Sequence, residues 1–594
     1  MILQSLLKYY EALAEKGMIS KPGWVKQKVS YALEINPKGE LTAYYPLLVE
    51  VERGKKKMMV PREMEVPAGF VRSSGITSNF LCDNAKYMLG VDIKKPQRGP
   101  LCFLAAKERH QSILGAVDSP AAKAICSFFD TFDPRYAQST PCLADAPDDF
   151  WESANLVWMV DGAFAHECPQ IRQAWDHFYS DSSDSSDSAA SGEESVPVAM
   201  RCLLTGDTVE PLKTHTPIKG IPGAQSTGAA LISFNAPAFC SYDREQNLNA
   251  PIGKYGAFAY TTALNHLISD KSHNKLFGDT LLLYWADDAE SAYQNLFEEI
   301  FDPNPDSMTD RELNDLMGKI VSGRTFDWQD IPLNPSNHFN ILGISPNAAR
   351  LSVRFFYQDS FGNIVRHLKE HYDRLAIVPD ARKLPEMLPL WRILKETVNP
   401  KGQDKSASPQ LAGDMLRAIL TGGRYPATVY QQIRMRIRAD REINHERAAM
   451  IKAYLLKNMC TAQNKEALTM DLNESTTYQP YVLGRLFAVL EKIQEQASGV
   501  TTIKDKYFTS AGSTPSAVFP LIVDLAQKHL RKMDGGKKVY FEKLLQSLLC
   551  MVSASYPSHH TLSDQGVFQL GYYHQKQKFY QSKTTADAEN NQNQ

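Results

Sequence analysis

The hydrophobic period of this chain changes once, and that change limits the folds open to it. Beyond a soft stretch rich in Lys, Ser, Gly and Pro, Asn399–Gly413, apolar residues recur at helical spacing almost to the end. Val482, Leu486, Val489, Leu490 and Ile493 form one stripe, which stops near Gly499. Thr514–Pro515 supplies an N-cap and a first helical position, followed by Val518, Leu521, Ile522 and Leu525. Lys528, Arg531 and Lys532 then stand at the negative end of that helix dipole, before Gly535. Phe541, Leu544, Leu545 and Leu548 predict a third helix, and Leu562–Tyr580 a fourth. Amphipathic helices joined by short connections pack by default as an antiparallel bundle.

Before that stretch the periods mix. Leu41–Pro61 reads as a hairpin about a Gly-Lys turn, and Leu231–Asn235, Asp279–Ala286 and Arg350–Gln358 are strand-like. Ala257, Tyr260, Thr261, Leu264, Leu267 and Ile268 share one helical face, and Met1–Gly17 is an amphipathic helix rather than a secretory signal. The expected fold class is α+β. A mixed α/β N-terminal domain with irregular loops (1–398) is followed by a linker (399–413) and an all-α helical domain (414–594), with the bundle in 470–594. The run 180–196, Ser- and Asp-rich with no apolar side chain larger than Ala in Ser180–Ser195, is expected to be an acidic flexible loop.

Charge and cysteine usage narrow the classes. With 65 Lys+Arg against 67 Asp+Glu the net charge is −2, so bulk charge cannot coat nucleic acid, although local basic grooves remain open. Nine Cys without a CxxC pair indicate neither a zinc ribbon nor a disulfide framework. Reduced thiols in a cytoplasmic protein fit best. No window approaches the ~18 apolar residues of a membrane span, so no membrane partner is expected. There is no P-loop, HExxH or GxSxG, and His166 and Cys168 have no second ligand pair; no enzyme activity, metal or cofactor is expected.

Four segments carry chemistry instead. Arg72–Asn84 gathers hydroxyls, Gly75 and two Asn; His215–Ala229 sets Lys219 among Gly220, Gly223 and Gly228; Ser233–Gly253 holds Asn235, Tyr242, Gln246, Asn247 and Asn249. Neutral amides and hydroxyls can bond base edges or phosphates without adding charge, and such loops can equally be turns satisfying their own backbone. The fourth, Arg424–Lys457, has eight Lys+Arg against Asp440, Glu442 and Glu446, with Arg434, Arg438 and Arg441 on one predicted helical face. A helix that tracks phosphates has this pattern, and so has one laced by its own ion pairs.

Together these segments resemble the large subunit of the subtype I-C CRISPR effector complex (Cascade), the c-type "Cas eight" or Csd family. The resemblance is carried by Ser73–Gly90, Cys202–Thr208, His215–Tyr242, Asn249–Ile268, Ile341–Phe356, Leu483–Gln494 and Phe568–Tyr580, in fixed order. The serine-aspartate run is the departure, and it leaves these segments intact. The resemblance implies a non-enzymatic subunit of antiviral defence whose partners are CRISPR RNA, the other Cascade subunits, duplex target DNA, the displaced single strand and a helicase–nuclease. Guide pairing reads sequence, and the protein reads a short protospacer-adjacent motif and assists strand opening.

It also implies a small subunit made from the chain's own C-terminal region, with Met470 as the internal start and Met459 its nearest competitor. Under this resemblance Ser73, Ser74, Gly75, Thr77 and Asn79 are the first candidates for reading the motif, and Asn235, Gln246 and Asn249 the second. Lys219, Arg434, Arg438 and Arg441 are the candidates for phosphates of the duplex or displaced strand. Packing against a neighbouring subunit is the alternative role for each residue. The alternative for the whole chain is a metal-dependent nuclease, against which the absent metal motif counts.

Overall fold

A computed structural model of the chain describes residues 1–53, 56–69, 76–181, 199–304, 306–379, 387–402 and 406–592. The fold is α+β: Arg350–Ser360 is the last strand, and only helices follow it among the described residues. The chain divides into two compact units, one made of Leu6–Thr216 and Ile232–Ala263, the other of Met1–Ser5, Pro217–Leu231 and Leu264–Gln594.

The unit containing Leu6–Thr216 is built on two small sheets. In one, Leu41–Pro46, Tyr31–Ile35, Leu156–Val160 and Cys82–Asp83 lie side by side in that order, and Ala163–Phe164 also pairs with Leu156–Val160. Tyr31–Ile35 and Leu156–Val160 run parallel, and four of five residues in each are buried, as expected for strands covered on both faces. The covering core is aromatic. Trp158 packs on Phe128 and Phe129 of helix Pro120–Thr131, and Trp175 of helix Pro169–Asp181 stacks on Phe80 at 5.1 Å while its Nε1 donates to the Gly23 carbonyl at 2.7 Å. The second sheet orders Trp24–Val29, Lys56–Pro67 and Leu48–Arg53.

Here the predicted hairpin is corrected. Leu48–Arg53 and Lys56–Pro67 pair as foreseen, but Leu41–Pro46 joins the other sheet beside Tyr31–Ile35, because Leu47 turns the chain between them. Leu231–Asn235 is not a strand either, since its polar neighbours supply turns rather than a pairing edge. Helix Pro169–Asp181 takes in the first two residues of the acidic run, and 182–198 lie outside the described residues.

In the other unit an antiparallel sheet orders Asn274–Phe277, Thr280–Ala286, His338–Asn347 and Arg350–Ser360. Every residue of Thr280–Ala286 is buried, which explains its unbroken apolar run. Helices Ser291–Phe301, Asp310–Val321 and Phe361–Leu375 contribute to the core against this sheet, and the second of them starts with a capping box between Thr309 and Glu312. One continuous cluster of buried side chains runs from Leu282 on the sheet to Tyr573 on the last helix. Residues 399–413 lie within the span of this unit.

The helical part departs from prediction in three respects. Gln479–Ser498 is buried on nearly its whole circumference from Pro480 to Glu491 rather than along one stripe, because it forms the centre of the bundle. It ends at Gly499 in the left-handed conformation, φ +71°, as its sequence foretells. A further helix, Thr502–Ser513, fills the interval before Thr514. Thr514 precedes helix Pro515–Leu530, yet its hydroxyl donates back to the Ser510 carbonyl at 3.2 Å instead of capping forward. Gly535–Met551 and Leu562–Gln592 complete the bundle. No described helix is long and apolar enough to cross a membrane.

Gln479–Ser498 and Leu562–Gln592 cross with backbone against backbone. A methyl on Gly484 would run into the Phe568 carbonyl, and one on Gly571 into the Tyr481 carbonyl. Glycine on both sides of one crossing removes the side-chain layer that ordinarily holds helix axes 8–10 Å apart.

Candidate nucleic-acid interface

Ser73, Ser74 and Gly75 lie outside the described residues. The rest of that segment is firmly held. The buried Asp83 carboxylate accepts from the Asn79 amide at 2.9 Å and from the Asn84 amide at 2.8 Å, and the Ser78 hydroxyl donates to the Asn79 carbonyl. Leu81 has φ +57° and donates its N–H to His110 Nε2 at 3.0 Å. That bond needs a neutral ring. Complete burial supplies one by pulling the imidazole down to about 4, and Nδ1 faces the Ala106 carbonyl at 2.7 Å. Thr77 and Asn79 remain half-buried above this anchor, with the Asn79 side chain beside Gly69.

The loop Ser233–Gly253 is the more unusual one. Tyr242, Asp243 and Gln246 all have positive φ, at 54°, 55° and 47°. Left-handed backbone costs a non-glycine residue roughly 1 kcal/mol or more and persists only where neighbouring contacts over-determine it. Asn249 provides them: its Oδ1 accepts from the Ser241 amide at 2.8 Å, and its Nδ2 donates to the Arg244 and Gln246 carbonyls at 2.7 and 2.9 Å. Asn247 is buried beneath, its amide bonded to the Lys213 carbonyl. The loop thus presents Tyr242 with 93% of its surface exposed, flanked by exposed Arg244 and, at 45%, Phe239.

Asn235, Gln246 and Asn249 therefore share one loop, with Asn235 and Gln246 at the surface and Asn249 as its internal pin. Tyr242 was named with this segment from the sequence but given no contact role there. The signal available was an aromatic residue belonging to no period inside a polar loop. Lys219 is exposed in the other unit, on a turn where Ile218 and Ala229 exchange both backbone bonds at 2.9 Å and Asn265 Oδ1 accepts from the Lys219 amide.

The basic segment resolves largely into ion pairs. Arg447 is buried, donating to Glu396 and Asp440 at 2.7 Å each; Arg436 pairs with Asp440, and Arg392 with Glu446. Lys452 donates to the Arg374 and Ala376 carbonyls at 2.9 and 2.6 Å, and burial pulls its ammonium down to about 8. Arg434 leans over the Tyr430 ring at 5.4 Å and donates to Gln565. Arg441 is not on the helical face with the others. It stands past the end of helix Ala427–Asp440 with φ +56°, paired with Asp505 at 3.1 Å. Arg438 is exposed and makes no ion pair among the described residues. Met470 is exposed before the bundle's central helix, its carbonyl accepting from the Val378 amide at 3.0 Å. Among the described residues no three His, Cys, Asp or Glu gather to hold a metal.

Residues 6–580 match the family described as CRISPR-associated protein (Cas_Csd1). The chain belongs to this family. Membership makes it a CRISPR-associated Cascade subunit, as the resemblance implied, and covers both compact units and nearly all the residues discussed above. No curated protein matches the chain. The Csd1 match ends at residue 580, inside the last helix.

Proposed function

We propose that the chain is the non-catalytic large subunit of a cytoplasmic type I-C surveillance complex. It reads a protospacer-adjacent motif in duplex DNA, helps part the strands, holds the displaced one and recruits a helicase–nuclease. The observation that carries DNA contact is the pinned loop with Tyr242 projecting from it. A solvent-facing aromatic ring on strained backbone gains nothing for folding, whereas a base stacked on it contributes about 1–3 kcal/mol. Thr77 and Asn79, with Ser73, Ser74 and Gly75 just before them in the sequence, are the proposed motif readers; Asn235 and Gln246 supply further neutral groups. Lys219 and Arg438 are proposed for phosphates. Arg434 and Arg441 are weaker in that role, having partners within the chain. A separate small subunit beginning at Met470 is proposed with the same family reading.

Asn79→Ala is expected to weaken binding to motif-bearing duplex about tenfold, within the ~1–3 kcal/mol of one base contact, while a pre-opened target binds as before. Tyr242→Ala should slow opening of the duplex, followed with 2-aminopurine beside the motif, and Tyr242→Phe should restore it. Equal losses on closed and open targets, or none, would remove these loops from the interface. Arg438→Ala should lower affinity for every target sequence and flatten the salt dependence by about 0.9 for duplex; an unchanged slope would take Arg438 off the backbone.

A further inference from the structure

A strained turn follows Asn79 in the chain, and a buried histidine from a distant helix holds it. The Cys82 amide donates to the Phe80 carbonyl at 2.7 Å, closing a three-residue turn centred on Leu81, whose φ is +57°. A γ-turn of this hand is rare and strained, and it persists only where surrounding contacts over-determine it. Glycine would relieve the backbone, but the Leu81 and Phe80 side chains are completely buried and belong to the core. Two sets of contacts fix the turn. Cys82 and Asp83 pair with Val157 and Leu156 on the sheet, and the Leu81 N–H donates to His110 Nε2 at 3.0 Å, on helix Gly99–Leu114.

His110 differs from other histidines of the interior. His215, His371 and His574 each bond a tyrosine hydroxyl through Nδ1 and leave Nε2 without a hydrogen bond among the described residues. His110 commits both nitrogens to backbone. Because Nε2 receives an N–H, the ring proton sits on Nδ1 and donates to the Ala106 carbonyl at 2.7 Å. That bond fixes the tautomer, so that a lone pair meets Leu81. Phe80 and Phe129 pack against the imidazole with ring centroids at 5.2 and 4.7 Å. Without this acceptor a buried N–H would stand unpaired at the most strained point of the segment. The turn also lies between Asn79 and Asp83, whose carboxylate accepts from the Asn79 amide at 2.9 Å, so a rotation at Leu81 displaces Asn79 from its anchor.

Resting on the motif reading proposed above, we infer that His110 is a positioning residue for motif recognition: as a buried acceptor it locks the turn at Leu81 and thereby sets where Thr77 and Asn79 stand. It is fully buried and touches no DNA itself. The test uses the full chain in its assembled guide complex. The probes are a labelled duplex carrying the motif that the parent selects from a randomised flank, and the same target with a pre-opened bubble. His110→Phe keeps an aromatic ring between Phe80 and Phe129 but has no acceptor; it is expected to weaken closed-duplex binding about tenfold and to leave the opened target unchanged. His110→Gln, which offers an oxygen near the place of Nε2, should restore binding to within about threefold of the parent. Added to Asn79→Ala, His110→Phe should cost less than about twofold more, because both act through one contact.

Hydrogen exchange of the peptide spanning residues 78–84 gives a second measurement that does not depend on DNA. Protection should fall about tenfold in His110→Phe and hold in His110→Gln, with thermal midpoints checking that both variants fold. Parent-like duplex binding by His110→Phe, equal losses on closed and opened targets, a glutamine variant as weak as the phenylalanine one, or unchanged protection of residues 78–84 would each overturn the assignment. The two ideas fail separately. A silent Asn79→Ala sinks the motif reading, whereas a full Asn79→Ala effect beside a silent His110→Phe sinks only the role of His110.

Discussion

Gly484→Ala is expected to do more damage than any other single methyl added to the bundle. The new carbon would meet the Phe568 carbonyl and the Tyr572 amide, which belong to backbone and cannot swing aside. The helices must therefore separate, and side chains packed along both of them lose contact. Overpacking costs typically 1–3 kcal/mol, and with backbone as the obstacle about 3 kcal/mol or more is expected. Gly571→Ala, facing the Tyr481 carbonyl from the other helix, should act the same way. The control is Gly413→Ala in helix Pro409–Leu420, where an added methyl meets open space and helix propensity favours alanine by about 1 kcal/mol. Thermal unfolding monitored by near-ultraviolet dichroism separates the cases. A Gly484→Ala protein that melts with the parent would mean that the crossing is wider than described.

Arg447→Met is expected to have the next largest effect. It fills a similar space but leaves Glu396 and Asp440, both largely withdrawn from water, without their shared guanidinium. Breaking a buried pair costs about 3–5 kcal/mol, and the lower end applies because both carboxylates keep some access to solvent and Asp440 keeps Arg436. The pH dependence has a definite sign. Burial pushes the Asp440 carboxyl up, but hydrogen bonding and charge from Arg447 and Arg436 outweigh it and hold the group below its usual value. A depressed carboxylate contributes stability that is complete above the unfolded value, about 3.9, and is lost as pH falls through the folded one. The gap between parent and variant should thus be full near neutrality and shrink on acidification. A gap that stays the same on acidification would assign the loss to packing rather than to charge.

Legibility from sequence followed the range of the interactions involved. The amphipathic first helix, the strand Thr280–Ala286 and the stop at Gly499 were readable because local spacing or one backbone conformation decides them. The pairing of Leu41–Pro46 with Tyr31–Ile35 was not, since the Pro46–Leu47 corner sits inside an otherwise continuous apolar run and local spacing does not name a strand's partner. Gly484 and Gly571 both lie in segments that carried the family resemblance, yet nothing local says that they face one another. Charge counting along Arg424–Lys457 overstated its open cations for a similar reason: Glu396, Asp505 and the Arg374 carbonyl, which occupy Arg447, Arg441 and Lys452, come from outside that segment. The Asn-rich loop was singled out by composition, and only its geometry shows Asn249 as a pin and Tyr242 as what the loop displays.

The unbroken interior from Leu282 to Tyr573 has a consequence for any shorter product of this chain. A polypeptide starting at Met470 would lack the stacked rings of Tyr430 and Tyr454, the first of which bonds the Leu562 carbonyl, and the Val378 carbonyl that Tyr573 addresses. Its last helix would reach water with a bare greasy flank. Such a fragment is born needing company, and self-association or capture by a neighbour would be its ordinary state rather than an accident of concentration.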